Sequence, residues 1–207
     1  GGDRKTGYAV IEEAGQLSRR SSLVAGELIK SAASRNDERL FFRWLSRAML
    51  TNAEVRGTYL AAMAQATAQD RSVEVLTPIL GTAPAWAEYY WPTVLDRPES
   101  LVNAAKLRMA IVEKPWNQSK LLPTDPQLVV RLADNREFET ALRLAQTLKP
   151  RGWSRSGGSV LNDGKFASLS TLPPFDWQLS SSGSLGASID DHKLVVADRH
   201  RALGRIF

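Results

Sequence analysis

Between Asp37 and Asn52, apolar side chains recur at Leu40, Phe41, Trp44, Leu45, Ala48 and Met49. Steps of three and four place them along one side of an α-helix, whereas a half-buried strand would alternate in twos. A helix so striped needs other elements to cover its apolar face, which makes an all-α packing the first expectation. Asn36-Asp37 ahead of it reads as an N-cap, followed by acidic residues in the first turn, and Thr51-Asn52 closes it. The same period runs through Val10, Ala14, Leu17, Ser21, Val24 and Leu28, interrupted by Gly15 and Gly26. Ala53 to about Gln69 predicts a third helix, and Ser72 to about Leu80 a short fourth. Pro78, Gly81, Pro84 and Pro92 then break the rhythm. Helix resumes at Pro98-Glu99, where proline suits a first turn, and runs to about Val112. Pro115 to Pro123 connects it to a helix opened by Asp125-Pro126. The last strong pattern, Arg136 to Lys149, stops at Pro150 and Gly152.

The composition changes beyond that point. RGWSRSGGSVLNDGK is rich in glycine and serine, and Asn162-Asp163-Gly164 suits a turn. Leu185 to Ile189, Lys193 to Ala197 and Ala202 to Phe207 read as short strands, the first two reversing at Asp190-Asp191-His192. The expected fold class is mainly α: stacked antiparallel helical hairpins over residues 1–150, then a linker and small β-containing C-terminal segment over 151–207. The apolar run at the C-terminus leaves two readings open, a sheet packed on the helices or part of a larger β domain. Gly1-Gly2 has the look of an added pair, so the question of a native leader stays open.

Bulk properties narrow the partners and the chemistry. The chain has 207 residues and no cysteine, so disulfides, thiolate catalysis and Cys-ligated zinc are out. A formal charge of +5 favours anionic partners in general. No apolar run reaches the ~20 residues of a membrane-spanning helix. The two histidines, His192 and His200, lie in the C-terminal segment, outside any HExxH spacing. P-loop, GxGxxG and GxSxG patterns do not occur. No cofactor and no metal are therefore expected, and the chain reads as non-catalytic.

Three groups of side chains are candidates for recognition. Arg39, Arg43 and Arg47, at steps of four, make one basic ridge that Arg35 extends. The ridge either faces water, pairs with another helix through Glu54 or Glu12-Glu13, or meets an anion. In PAWAEYYWP, residues 84 to 92, Trp86, Tyr89 and Tyr90 share a helical face that Trp116 could join, and Trp91 points elsewhere. Such a surface stacks on sugars, bases or proline, or else it seals a corner between hairpins. Phe175-Asp176-Trp177 combines aromatics and a carboxylate as a sugar site would, or anchors the tail. Arg199, His200, Arg201 and Arg205 add charge without interleaved aromatics, which argues against specific nucleic-acid binding. Glu88, Asp96 and Glu99 surround the aromatic stretch and would be the acid–base candidates of an enzyme reading.

Asp134 to Leu142, DNREFETAL, resembles the hinge and second-helix opening of tetratricopeptide repeats. Phe138, Ala141, Ala145 and Leu148 stand where that family places aromatic and small packing residues. The resemblance implies helical hairpins that bury together what one hairpin cannot. The match covers roughly 25 residues well, and no clean 34-residue repeat recurs. Degenerate hairpins followed by Pro173-Pro174-Phe175-Asp176-Trp177 loosely resemble bacterial helical-repeat proteins carrying a carbohydrate-binding-like β-sandwich. That likeness implies a periplasmic or envelope location and a link with polysaccharide. The leading expectation is a protein-binding scaffold or adaptor, with a carbohydrate-binding module in the C-terminal segment as the alternative.

Overall fold

The structure, a computed structural model, describes residues 22–148, 172, 185–190 and 193–198. The chain divides into two compact units at Ser119/Lys120. The last helical hairpin thus belongs to the second unit.

In the first unit α1 spans Ser22–Ser34, α2 Glu38–Thr51, α3 Arg56–Ala66, α4 Ser72–Leu80, α5 Ala87–Leu95 and α6 Leu101–Val112. A 3₁₀ turn, Pro98–Ser100, leads into α6 with proline in its first position. The helices are short, nine to fourteen residues each, so packing rather than propensity sustains them. On α2 the fully buried residues are Phe42, Leu45, Ala48 and Met49, while Leu40, Phe41 and Trp44 are half-buried. α1 packs on α2 as an antiparallel hairpin. Further on, α2, α4 and α6 pack in a row, and α3 packs on α5 in a second row. Their buried side chains include Leu60, Met63, Val75, Leu76, Val94, Leu101 and Leu107. Each large apolar chain removed from water there contributes ~1.5–3 kcal/mol.

Polar side chains close the ends of these rods. The α3 C-terminus presents carbonyls that its own helix cannot satisfy. Ser100 Oγ donates to Ala64 O at 2.8 Å, Ser72 Oγ to Thr67 O at 2.8 Å and Asn103 Nδ2 to Thr67 O at 3.0 Å. At the end of α4, Gln118 Nε2 donates to Leu80 O at 2.9 Å and Gly81 O at 2.7 Å. The buried Arg108 of α6 holds the same residue, donating from Nη1 to Gln118 O at 2.8 Å.

Pro92 lies inside α5, contrary to the expectation that it breaks the helix. It removes the bond to Glu88 O. Because Pro92 and Glu88 are both exposed, water can serve that carbonyl at little cost. Pro78 likewise sits within α4 on an exposed position.

In the second unit α7, Asp125–Asp134, packs on α8, Phe138–Leu148. Asp125 lies in the first turn, where its Oδ2 accepts from Leu122 N at 2.8 Å. Val129, Leu132, Ala141, Leu144 and Ala145 are fully buried. Phe138, expected to pack with the small residues of this hairpin, is instead 59% exposed. It opens α8 directly after the turn, next to the point where α7 ends, so little of the partner helix remains to cover it.

The turns of α1–α2 and α7–α8 have the same backbone hydrogen-bond pattern. Asn36 has φ 52° and Arg136 φ 65°, both left-handed. Asn36 N donates to Ala33 O and Asp37 N to Ala32 O, at 3.1 and 3.0 Å. One hundred residues on, Arg136 N donates to Ala133 O and Glu137 N to Leu132 O, both at 2.9 Å. This is the Schellman closure, which satisfies otherwise orphaned carbonyls of the first helix. Within consecutive pairs, α1–α2 and α7–α8 pack closely, α5–α6 touch slightly and α3–α4 scarcely meet. Alternate helices (α1, α3, α5 and α7) begin at residues 22, 56, 87 and 125, at intervals of 34, 31 and 38.

Leu185–Asp190 and Lys193–Asp198 pair antiparallel, with Ala187 opposite Val196 and Ile189 opposite Leu194. An isolated two-stranded ribbon is marginal in water, so this pairing is not by itself a β domain. The third expected strand and the glycine- and serine-rich stretch lie outside the described residues.

Candidate functional site

Local sequence makes the α1–α2 turn. Asp37 Oδ1 accepts from Leu40 N at 3.0 Å and caps α2, while Asn36 takes the left-handed position that its short side chain tolerates. Two concavities flank this turn. One, of ≈ 470 Å³, is lined by Arg35, Asn36, Asp37, Glu38, Arg39 and Arg71. The other, of ≈ 400 Å³, has a small-residue wall of Ala32, Ala33, Ala62 and Ala66 beside Phe41 and Phe42.

The basic ridge is divided among three surroundings. Arg39 pairs with Glu74 of α4 rather than with Glu54; Glu12 and Glu13 lie outside the described residues. Arg71 of the turn before α4 lies 3.7 Å from Glu38. The two pairs are reciprocal, each helix start giving one charge of each sign, and both are exposed, so each contributes only ~0–1 kcal/mol. Arg47 lies 5.1 Å over the Trp44 ring. Arg43 is exposed, and among the described residues neither it nor Arg47 forms an ion pair. Arg43 therefore carries the open charge of the ridge.

The aromatic surface does not assemble as expected. Trp86 and Tyr90 are only 1% and 0% exposed, and Trp91 is buried with them. Tyr90 meets Trp86 and Trp91 edge to face, with centroids 6.5 and 5.1 Å apart. Trp86 Nε1 donates to Ser46 Oγ at 3.2 Å. The Tyr90 hydroxyl lies 2.7 Å from Thr67 Oγ1, which itself donates to Met63 O at 2.8 Å. Tyr90 is thus the donor to Thr67. Burial pushes its phenol well above the usual tyrosine range. Tyr89 alone of the proposed face is open, 49% exposed, with the Arg56 guanidinium 5.8 Å over its ring.

Trp116 serves a different end. Its half-buried indole lies against Gly81, where an added Cβ would come within 2.2 to 2.6 Å of ring atoms. It thereby covers the C-terminus of α4 beside the Gln118 carboxamide. Phe175, Asp176 and Trp177 lie outside the described residues, as do His192, His200 and the C-terminal arginines. Glu88, Asp96 and Glu99 are all exposed, and Glu99 lies 3.9 Å from Arg97.

Sequence reasoning did not find the alanine-walled groove, because alanine has no chemistry to announce a site. The spacing of Ala62 and Ala66, four apart on one helix face, is the one signal present. Among the described residues no cluster of three metal-ligating side chains occurs, and no helix is long and apolar enough to cross a membrane. In comparison with known proteins, no family model, no curated protein and no solved structure matches the chain.

Proposed function

We propose that this chain is a non-catalytic scaffold or adaptor of tetratricopeptide-like kind, binding a segment of another protein on its helical surface. The observation that carries this reading is the packing of alternate helices in rows, α2, α4 and α6 in one and α3 and α5 in another, with alternate helices beginning every 31 to 38 residues, close to the 34-residue tetratricopeptide period. The identical closures at Asn36 and Arg136 support it, because they mark equivalent hairpin turns where the side-chain pattern has degenerated. Packed helical hairpins leave extended faces for recognition. On this reading the open guanidinium of Arg43, with Arg47 beside it, selects acidic segments. The C-terminal stretch is a small β-containing module attached to the array, and the setting is a bacterial envelope assembly that handles polysaccharide.

Affinity capture from a bacterial envelope extract tests the proposal, using the full chain and its Arg43→Glu, Arg47→Glu variant side by side. Loss of specific partners by the variant, with unchanged circular dichroism, is the expected result. Equal recovery by both chains would remove the ridge from partner recognition. Turnover of any substrate by the purified chain would refute the non-catalytic reading.

A further inference from the structure

We infer that the ≈ 400 Å³ groove between the ends of α1 and α3 docks an amphipathic segment of a partner protein that carries apolar anchors flanked by lysine or arginine. The inference deepens the scaffold reading by naming the partner's chemistry at a second surface, and it is independent of the Arg43 ridge.

Shape is the first argument. The walls are Ala32 and Ala33 of α1 and Ala62 and Ala66 of α3, with Phe41 and Phe42 of α2 between them. Ala32 and Phe42 are buried beneath the groove, while the methyl groups of Ala33, Ala62 and Ala66 let a partner approach close to both backbones and Phe41 offers apolar area for an anchoring side chain. Phe41 is half-buried, Ala33 exposed, and Ala62 and Ala66 half-buried, so apolar surface lies open along the length of the groove.

Charge is the second argument, and it selects the sign of the partner. The charged side chains lining this groove are Asp37 and Glu38; Asn36, Gln65 and Gln69 complete its polar rim. One Asp37 oxygen accepts from Leu40 N, and Glu38 has Arg71 at 3.7 Å, an exposed contact that water screens. The C-terminal ends of α1, at Ser34, and α3, at Ala66, bring partial negative charge to the groove, and the partial positive charge of the α2 N-terminus is outweighed by the full charges of Asp37 and Glu38. Arg35, Arg39 and Arg71 line the neighbouring concavity beyond the turn, where Arg39 is held by Glu74. An acidic segment would meet like charge in the alanine-walled groove, whereas a basic one meets complementary charge.

The experiment is fluorescence anisotropy with the full chain and two labelled amphipathic helical peptides. One consists of leucine, alanine and lysine, and the other has glutamate at every lysine position. The lysine peptide is expected to bind saturably and more tightly, with affinity falling as salt screens the charge component. Gln65→Lys, on an exposed rim position, is expected to weaken it by about tenfold, as is Glu38→Lys. Asp37 is left intact because it caps α2, and Ala33→Trp, which fills the groove from an exposed position, should block binding with the helical spectrum unchanged. Equal or tighter binding of the glutamate peptide would overturn the inference, as would indifference to Gln65→Lys or no binding of either peptide. Self-association abolished by Ala33→Trp, with no peptide bound, would assign the groove to a second copy instead. Failure of this test with partner capture still lost in the Arg43→Glu, Arg47→Glu variant leaves the proposed function standing, so the two outcomes are separable.

Discussion

Gly81→Ala sets two physical effects against each other, and the structure says which wins. Gly81 has ordinary right-handed angles, φ −59° and ψ −29°, so alanine fits its backbone. On conformational entropy alone the substitution would stabilise the fold by ~0.4–1 kcal/mol. The new Cβ, however, would stand 2.2 Å from the Trp116 ring, a distance that real Cβ atoms do not show. The indole is a rigid plane rather than a flexible tip, so the loop that carries it must move. Overpacking of this kind costs ~1–3 kcal/mol. Two residues on, Gln118 bonds the Leu80 and Gly81 carbonyls, and each bond that loosens adds ~0.5–1.5 kcal/mol. The net expectation is a loss of ~1–3 kcal/mol, read as a lower urea midpoint by circular dichroism. Trp116→Ala alone also destabilises, but adding Gly81→Ala to it should then cost little or even help. A coupling of ~0.5–3 kcal/mol in the double-mutant cycle is the mark of direct contact. A neutral or stabilising Gly81→Ala in the otherwise unchanged chain would refute the contact.

The remaining expectations concern the turns, the buried tyrosine and the α2 cap. Arg136→Gly should stabilise the α7–α8 hairpin by ~0.5–1 kcal/mol, because φ 65° costs an L-residue ~1–2 kcal/mol and glycine almost nothing; Asn36→Gly should gain less, and hydrogen exchange of each hairpin reads the difference. Tyr90→Phe leaves Thr67 without its donor and should cost ~1 kcal/mol in the urea midpoint. The raised folded-state value of Tyr90 means that its stabilising contribution is whole below the ordinary phenol value of 10.0 and is lost as pH climbs past it. Alkaline melting of the unchanged chain should therefore fall more steeply than that of Tyr90→Phe. Asp37→Ala removes the α2 cap and should lower stability by ~1 kcal/mol, measured the same way.

Periodic apolar spacing made the helices readable where a helix buries one stripe. The bounds of α4, Ser72–Leu80, follow directly from its sequence pattern, and α2 sits where the Leu40-to-Met49 stripe placed it. Pro92 misled, because the pattern reads it as a break although an exposed helix face tolerates it. The aromatic stretch was legible as helical corner material but not in its facing. Trp86, Tyr90, Trp91 and Val94 fall on the buried side, and Tyr89 lies just beyond its edge. Neighbouring positions on one arc cannot be ranked for burial until the covering helix is known. The likeness of the two Schellman turns was hidden for a related reason. Equivalent turns at Asn36 and Arg136 use different residues for the same left-handed angle, so backbone geometry repeats where sequence does not. The Arg39–Glu74 pair spans 35 positions, and nothing local to either residue names the other.

The row of α2 beside α4 underlies the packed array and the surfaces assigned to it. The absence of native cysteine makes it directly measurable. Chains carrying Arg39→Cys with Glu74→Cys, or Glu38→Cys with Arg71→Cys, should be joined internally by a short bis-maleimide at high yield under native conditions. Internal linking that fails for both pairs, while the helical spectrum is intact, would contradict the array.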